Sequence, residues 1–287
     1  MVWREPSIEQ TILSAGPPIV YLDHGPMHHL AADAAQAARF GAALRRGGTL
    51  ALSQANVYEI AAQEDGPSLD ALRALLRGVG SRFCVLKTDH FDYAESAARS
   101  GGDYIADGFD QGLMQMIDEF DRSRGGLLSD ASVIVDWTRE WPPEDAKKLS
   151  SRAKSGMKWI LERARQRYRD ANVSPRARPG EPRALECAAA LWRVIAQEQS
   201  GSVTENDGID VMHACVPIAA CDVVVLDSKW AELTRRVPRQ PDGPRRAQVF
   251  SGKLREREAL LTTLEQHPRM PLSVWDLGDA GCRIGFP

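Results

Sequence analysis

The strongest constraint on this chain is a set of short apolar runs that end abruptly at polar residues. Ile19-Val20-Tyr21-Leu22 stops at Asp23, and Cys221-Asp222-Val223-Val224-Val225-Leu226 stops at Asp227. Thr49 to Leu52, Arg82 to Leu86 and Gln248 to Phe250 are of the same kind. Such runs are too short for helices and apolar past their opening residues, the pattern of strands buried on both faces. Longer stretches separate them. His28 to Leu44 is rich in Ala and Leu and is stopped by Gly47-Gly48. Ser53 reads as the N-cap of a helix carrying Asn56, Glu59 and Ile60. Ser68 to Arg77, Asp207 to Ala219, Ser228 to Arg236 and Lys253 to Gln266 also read as helices. The alternation predicts an α/β fold with a mainly parallel sheet.

Residues 88 to 202 interrupt this rhythm. They look mostly helical and carry an acidic stretch from Asp89 to Asp121 and a basic one from Arg152 to Arg183. Val173 to Arg183 reads as an exposed Pro/Gly/Arg-rich loop. The segment is therefore predicted as a large helical insertion between two halves of one core, residues 1–87 and 203–287. The net charge of −3 excludes little, but the separated blocks of charge can present a phosphate-binding surface. Five cysteines without a CxxC pair argue against a disulfide framework or a zinc ribbon. The N-terminus lacks a signal-peptide pattern and no apolar run reaches membrane-spanning length, which predicts a soluble, cytoplasmic protein.

Asp23 and Asp227 stand at the C-terminal ends of predicted strands, where open α/β sheets bind ligands. Glu59 and Asp210 lie on helices that can face the same crevice. Four converging carboxylates repel one another unless cations intervene, and hard divalent ions, Mg²⁺ or Mn²⁺, suit all-oxygen ligands. Such ions activate water and offset phosphoryl charge, so the set points to phosphodiester hydrolysis.

Four pieces carry a more specific resemblance: Val20-Tyr21-Leu22-Asp23, Asn56-Val57-Tyr58-Glu59-Ile60-Ala61, Asn206-Asp207-Gly208-Ile209-Asp210-Val211-Met212-His213-Ala214 and Asp222-Val223-Val224-Val225-Leu226-Asp227. In this order they resemble the four acidic motifs of PIN-domain ribonucleases, over about residues 17–87 and 203–266. The resemblance implies a three-layer α/β/α fold and Mg²⁺- or Mn²⁺-dependent endoribonuclease activity by metal-activated water. It also implies 5′-phosphate and 3′-hydroxyl products and, as in many members, a toxin neutralised by a small antitoxin. Gly25 departs from the small polar residue common two positions after the first acid. In the third motif Asp210 is favoured as the principal acid, with Asp207 either a further metal ligand or a helix N-terminal charge.

Other residues carry plainer readings beside functional ones. Asp222 precedes its strand and reads as structural. His213 reads as a packed or surface imidazole, and His24, His28 and His29 as local polar surface within reach of substrate. Asn56 and Asn206 suit helix caps or support of the metal ligands equally. Lys154, Lys158, Arg163, Arg165 and Arg167, interleaved with Trp159 and Tyr168, are candidates for RNA contact. Arg235, Arg236, Arg245 and Arg246 are further candidates. The insertion could serve as a lid, a substrate clamp or the contact of a homodimer. The rival to the enzyme is a non-catalytic PIN-like module that binds protein or RNA. A phosphohydrolase acting on small esters lacks support, because neither an Asp-x-Asp after the first strand nor a GxxxxGK(S/T) loop is present.

Overall fold

The computed structural model describes residues 17–87, 110–126, 130–170, 183–198, 204–239 and 245–267. Its first half runs β1 (Ile19–Leu22), α1 (His24–Ala31), α2 (Ala34–Gly47), β2 (Thr49–Ser53), α3 (Gln54–Ala62), α4 (Pro67–Val79) and β3 (Phe83–Leu86). Then come α5 (Gln111–Ser123), α6 (Val133–Arg139), α7 (Pro143–Asp170) and α8 (Arg183–Glu198). The last part is α9 (Glu205–Ala220), β4 (Val223–Leu226), α10 (Ser228–Arg235), β5 (Gln248–Ser251) and α11 (Leu254–Gln266). No helix among the described residues is long and apolar enough to cross a membrane.

The strands form one five-stranded sheet in the order β3-β2-β1-β4-β5, every neighbouring pair parallel. Alternate strand residues enter two cores, one on each side. Tyr21, Ala51, Cys84, Val224 and Val249 meet α8, α9 and α10 on one face. Val20, Leu22, Leu50, Val85, Val225 and Phe250 meet α1, α2, α4 and α11 on the other. Both faces being covered explains why the strands read as unbroken apolar runs. The architecture is a three-layer α/β arrangement.

The strand positions inferred from sequence hold, with small shifts at the ends. Cys221 and Asp222 stand outside β4: Cys221 closes α9 through its N–H to Pro217 O, and Asp222 accepts from Ile19 N at 2.9 Å. The single helix expected over His28 to Leu44 is two helices. Asp33 starts the second by accepting from the N–H groups of Ala35 and Gln36, each at 3.1 Å. Its side chain competes for the backbone donors that a continuous helix would need. The α2 and α4 helices cross so closely that a Cβ on Gly41 would lie 2.5 Å from the Gly78 carbonyl oxygen.

The described part of the segment read as an insertion is helical and adds no strand. Its helices are built into both cores. Leu161 of α7 and Leu191 and Ile195 of α8 join the first, while Met114, Ile117 and Ile134 of α5 and α6 join the second. The α7 helix packs on α3, α8 and α9, which brings the basic stretch against two helices that carry acids. The Pro/Gly/Arg-rich loop and most of the acidic stretch lie outside the described residues. Asp33→Ala removes the α2 cap at an expected cost of about 1 kcal/mol, read as a lower denaturant midpoint with an unchanged slope.

Candidate functional site

The sheet reverses its strand order between β1 and β4, so the connections from these two strands diverge and leave a crevice at their C-terminal ends. Asp23 and Asp227 are the first residues past those ends. The Asp23 N–H still donates to Val225 O at 2.8 Å, extending the β1–β4 ladder by one bond. Its Oδ1 caps α1 through His24 N at 2.6 Å, and its Oδ2 accepts from the Asp227 N–H at 3.3 Å. Asp227 caps α10 through Trp230 N at 2.8 Å. Both residues are thus helix caps and crevice acids together. An ionised carboxylate has about four lone-pair sites, so a cap leaves room for a cation.

Two helices bring in the other acids. The start of α3 is fixed by a reciprocal cap: Asn56 N donates to Ser53 Oγ at 3.2 Å, and Ser53 N donates to Asn56 Oδ1 at 2.8 Å. Asn56 Nδ2 also donates to Leu22 O at 3.2 Å, tying α3 to the end of β1. Glu59 follows on this helix. Asp210 lies on α9 and accepts from Trp230 Nε1 at 2.7 Å. Ala55 packs against Ile209 and Met212, which locks the two helices together.

The sequence reading did not assign His213 to the site. Its imidazole is 1% exposed, and its Nε2 lies 2.9 Å from Glu59 Oε2 and 3.5 Å from Asp23 Oδ1. Asp210 and His213 are three residues apart, so one helix face carries both. That spacing was the available signal. The other ring nitrogen, Nδ1, bonds the Tyr21 hydroxyl, which lies 3.0 Å from Ser53 Oγ. With His213 protonated, Nδ1–H donates to Tyr21, Tyr21 to Ser53, and Ser53 to Asn56 Oδ1 at 3.2 Å.

The electrostatics follow from burial and crowding. Burial and the Asp23 and Asp227 charges push Asp210 up to about 7. Burial and Glu59 raise Asp23, against the pull of His213. Burial opposes a charge on His213, but Asp23 and Glu59 overcome it and push its pKa up to about 9. Glu59 is also buried, yet His213 and its hydrogen bond hold it below the usual carboxylate range. Burial drives His24 down to about 4. Asp23 and Asp210 therefore each feel other acids of the site, and His213 is the buried cation among them.

A divalent ion fits this donor set. Asp23, Glu59 and His213 each offer an atom within 4.8 Å of the others. Asp210 is raised first by burial and then by the Asp23 and Asp227 charges, and a dication would relieve that second part. Asp207 is placed differently. Its carboxylate accepts from Thr204 N at 2.9 Å and Thr204 Oγ1 at 2.8 Å and pairs with Lys229, so it serves as the cap of α9.

The basic candidates divide. Lys154 on α7 is close enough to lower the pKa of both Glu59 and His24. Lys158 is 4.0 Å from Glu162 on its own helix. The side chains of Arg163, Arg165 and Arg167, with Trp159 and Tyr168, lie outside the described residues. Arg235 is engaged with Val249 O and Glu256. Arg245 is buried and donates to Val237 O at 3.0 Å, and Arg246 pairs with Asp222 at 2.8 Å beside the start of β4. All three guanidinium groups are engaged within the chain, and Arg245, which is buried, needs such fixed acceptors. Arg236 is exposed just past α10 and interacts within the protein.

The raised groups set a pH dependence. Asp210 holds its proton in the fold up to about 7 against 3.8 unfolded, so its protonated form favours the fold and this is lost as pH rises through 7. His213 is raised from 6.5 to about 9, so its contribution is full below 6.5 and lost as pH rises through 9. Both slopes have the same sign. His24, lowered from 6.5 to about 4, has the opposite one: its contribution is full above 6.5 and lost as pH falls through 4, so it offsets Asp210 below pH 6.5. In EDTA, stability is expected to fall from about pH 6.5 to 9 in chemical denaturation. Asp210→Asn should raise stability at pH 8 by on the order of 2 kcal/mol; an unchanged stability would contradict the coupling.

Comparison with protein-family models, curated proteins and solved structures finds no match to this chain.

Proposed function

We propose that this chain is a PIN-like endoribonuclease that depends on Mg²⁺ or Mn²⁺ and hydrolyses RNA phosphodiester bonds. The observation that carries the reading is the acid cluster at the crevice where the parallel sheet reverses its order: Asp23 and Glu59 stand at ligand spacing beside His213, the Asp227 N–H bonds Asp23, and Asp210 feels the Asp23 and Asp227 charges. The α/β/α layering and the order of the four acids along the chain accord with the resemblance to PIN-domain ribonucleases.

The four carboxylates would hold the ion. When bound, it supplies activation of water and stabilisation of charge on the phosphoryl group. The chain's own contribution is position. Asp23 and Asp227 are fixed by the backbone bonds that their caps make, so neither can retreat from the other. The Trp230 indole N–H holds Asp210 in one orientation. Lys154, on the helix packed over α3, brings a positive charge to the Glu59 side, where an RNA phosphate would otherwise meet only anions.

Asp23→Asn and Asp227→Asn each keep a capping oxygen, so both variants are expected to fold. Each should lower Mn²⁺-dependent cleavage of single-stranded RNA more than about 100-fold, beyond the 10–100-fold usual for residues that only support metal ligands. Wild-type protein that cuts no member of a broad RNA panel, or variants that cut as well as wild type, would overturn the reading. Lys154→Ala should weaken RNA binding and lower the slope of log affinity against log salt by about 1. Titration of a fluorescent oligoribonucleotide at several salt concentrations measures it.

A further inference from the structure

We infer that the Glu59 side of this site holds its ion through nitrogen as well as oxygen, with His213 as an imidazole ligand beside Glu59 and Asp23. The site therefore prefers Mn²⁺ to Mg²⁺. The inference rests on the metal-dependent reading above and narrows which cation that site takes.

Two observations converge. The first is spacing. Ligands on one ion at about 2.1–2.2 Å lie roughly 3 Å apart as neighbours and just over 4 Å apart when opposite. His213 Nε2 is 2.9 Å from Glu59 Oε2 and 3.5 Å from Asp23 Oδ1, and His24 Nδ1 is 4.0 Å from the same Glu59 oxygen. The Asp23, Glu59 and His213 atoms stand at ligand spacing around one point, all within 4.8 Å of one another, and His24 lies outside that group.

The second is orientation. An imidazole that binds a metal through one nitrogen is held through the other by a hydrogen bond, which fixes the ring and its tautomer. The Nδ1 of His213 is held in this way by the Tyr21 hydroxyl, and Tyr21 is held by Ser53. Nε2 is thereby turned toward the carboxylates. The ring is 1% exposed, so it has no alternative position in solvent.

Mg²⁺ takes oxygen ligands almost exclusively, whereas Mn²⁺ accepts imidazole beside carboxylate. The test uses the full chain, stripped with chelator and loaded with one equivalent of Mn²⁺. Pulsed electron paramagnetic resonance is expected to show coupling to one directly bound nitrogen. The coupling should change to the pattern of the heavier isotope when the protein is made with ¹⁵N-histidine. His213→Gln should remove the coupling, and His24→Gln and His28→Gln should leave it in place. The ratio of Mn²⁺ to Mg²⁺ affinity should fall about tenfold or more in His213→Gln. Isotope labelling of the wild type carries the test should His213→Gln not fold. Bound Mn²⁺ with no nitrogen coupling overturns this inference and leaves the carboxylate site standing. Coupling that disappears in His24→Gln or His28→Gln overturns the place given to His213. Failure to bind Mn²⁺ at all overturns this inference together with the proposed function.

Discussion

The pairing of β1 with β4 is the interaction on which the site depends. Because these strands are parallel neighbours in register, with Leu22 opposite Val225, they end within one residue of the same level, β4 running on to Leu226. The residues that follow them, Asp23 and Asp227, are thereby brought together. The backbone then ties them: Asp23 N–H donates to Val225 O, and Asp227 N–H donates to Asp23 Oδ2. Two carboxylates held at that distance in a crevice of low polarity form a local charge that the rest of the structure must accommodate.

The accommodation is visible in what surrounds them. Asp210 keeps an indole hydrogen bond and a proton affinity near neutral pH. His213 enters as a buried cation between Glu59 and Asp23, and Lys154 adds charge from outside. These devices offset the repulsion without removing it, and a half-compensated cluster of buried acids is what a cation-binding site requires before its cation arrives. The helices from residues 110 to 198 contribute by cover. The α7 and α8 helices complete the layer over one face of the sheet, and α7 carries Lys154 to the rim.

Much of this was legible in the chain. Uniform apolar runs marked all five strands, and the acids at two strand ends marked the crevice, because both signals are local. Ser53 was readable as a cap, and Asp222 as a structural residue at the opposite edge, where it holds Ile19 N and Arg246. The break between α1 and α2 was missed because Ala-rich sequence on both sides hid the one cap, Asp33. The arginines after Asp227 looked like a phosphate surface, since sequence shows charge and not its partners. Three of them bind backbone carbonyls or acids of this chain. Asp207 and Asp210 were hard to separate for the same reason: three residues apart, they differ only in what each meets, Thr204 and Lys229 for one and the crevice for the other.

By itself, the sequence determined a layered α/β chain with acids at the ends of buried strands, because strand burial and helix capping are written in residues adjacent along the chain. Only tertiary structure decided that His213 belongs with those acids. Its contacts with Tyr21 and Glu59 span 192 and 154 residues, and no local pattern records a meeting across that separation. The charge of a buried imidazole depends on which anions the fold brings to it, so its chemistry exists only once the sheet and its two flanking helices have closed around it.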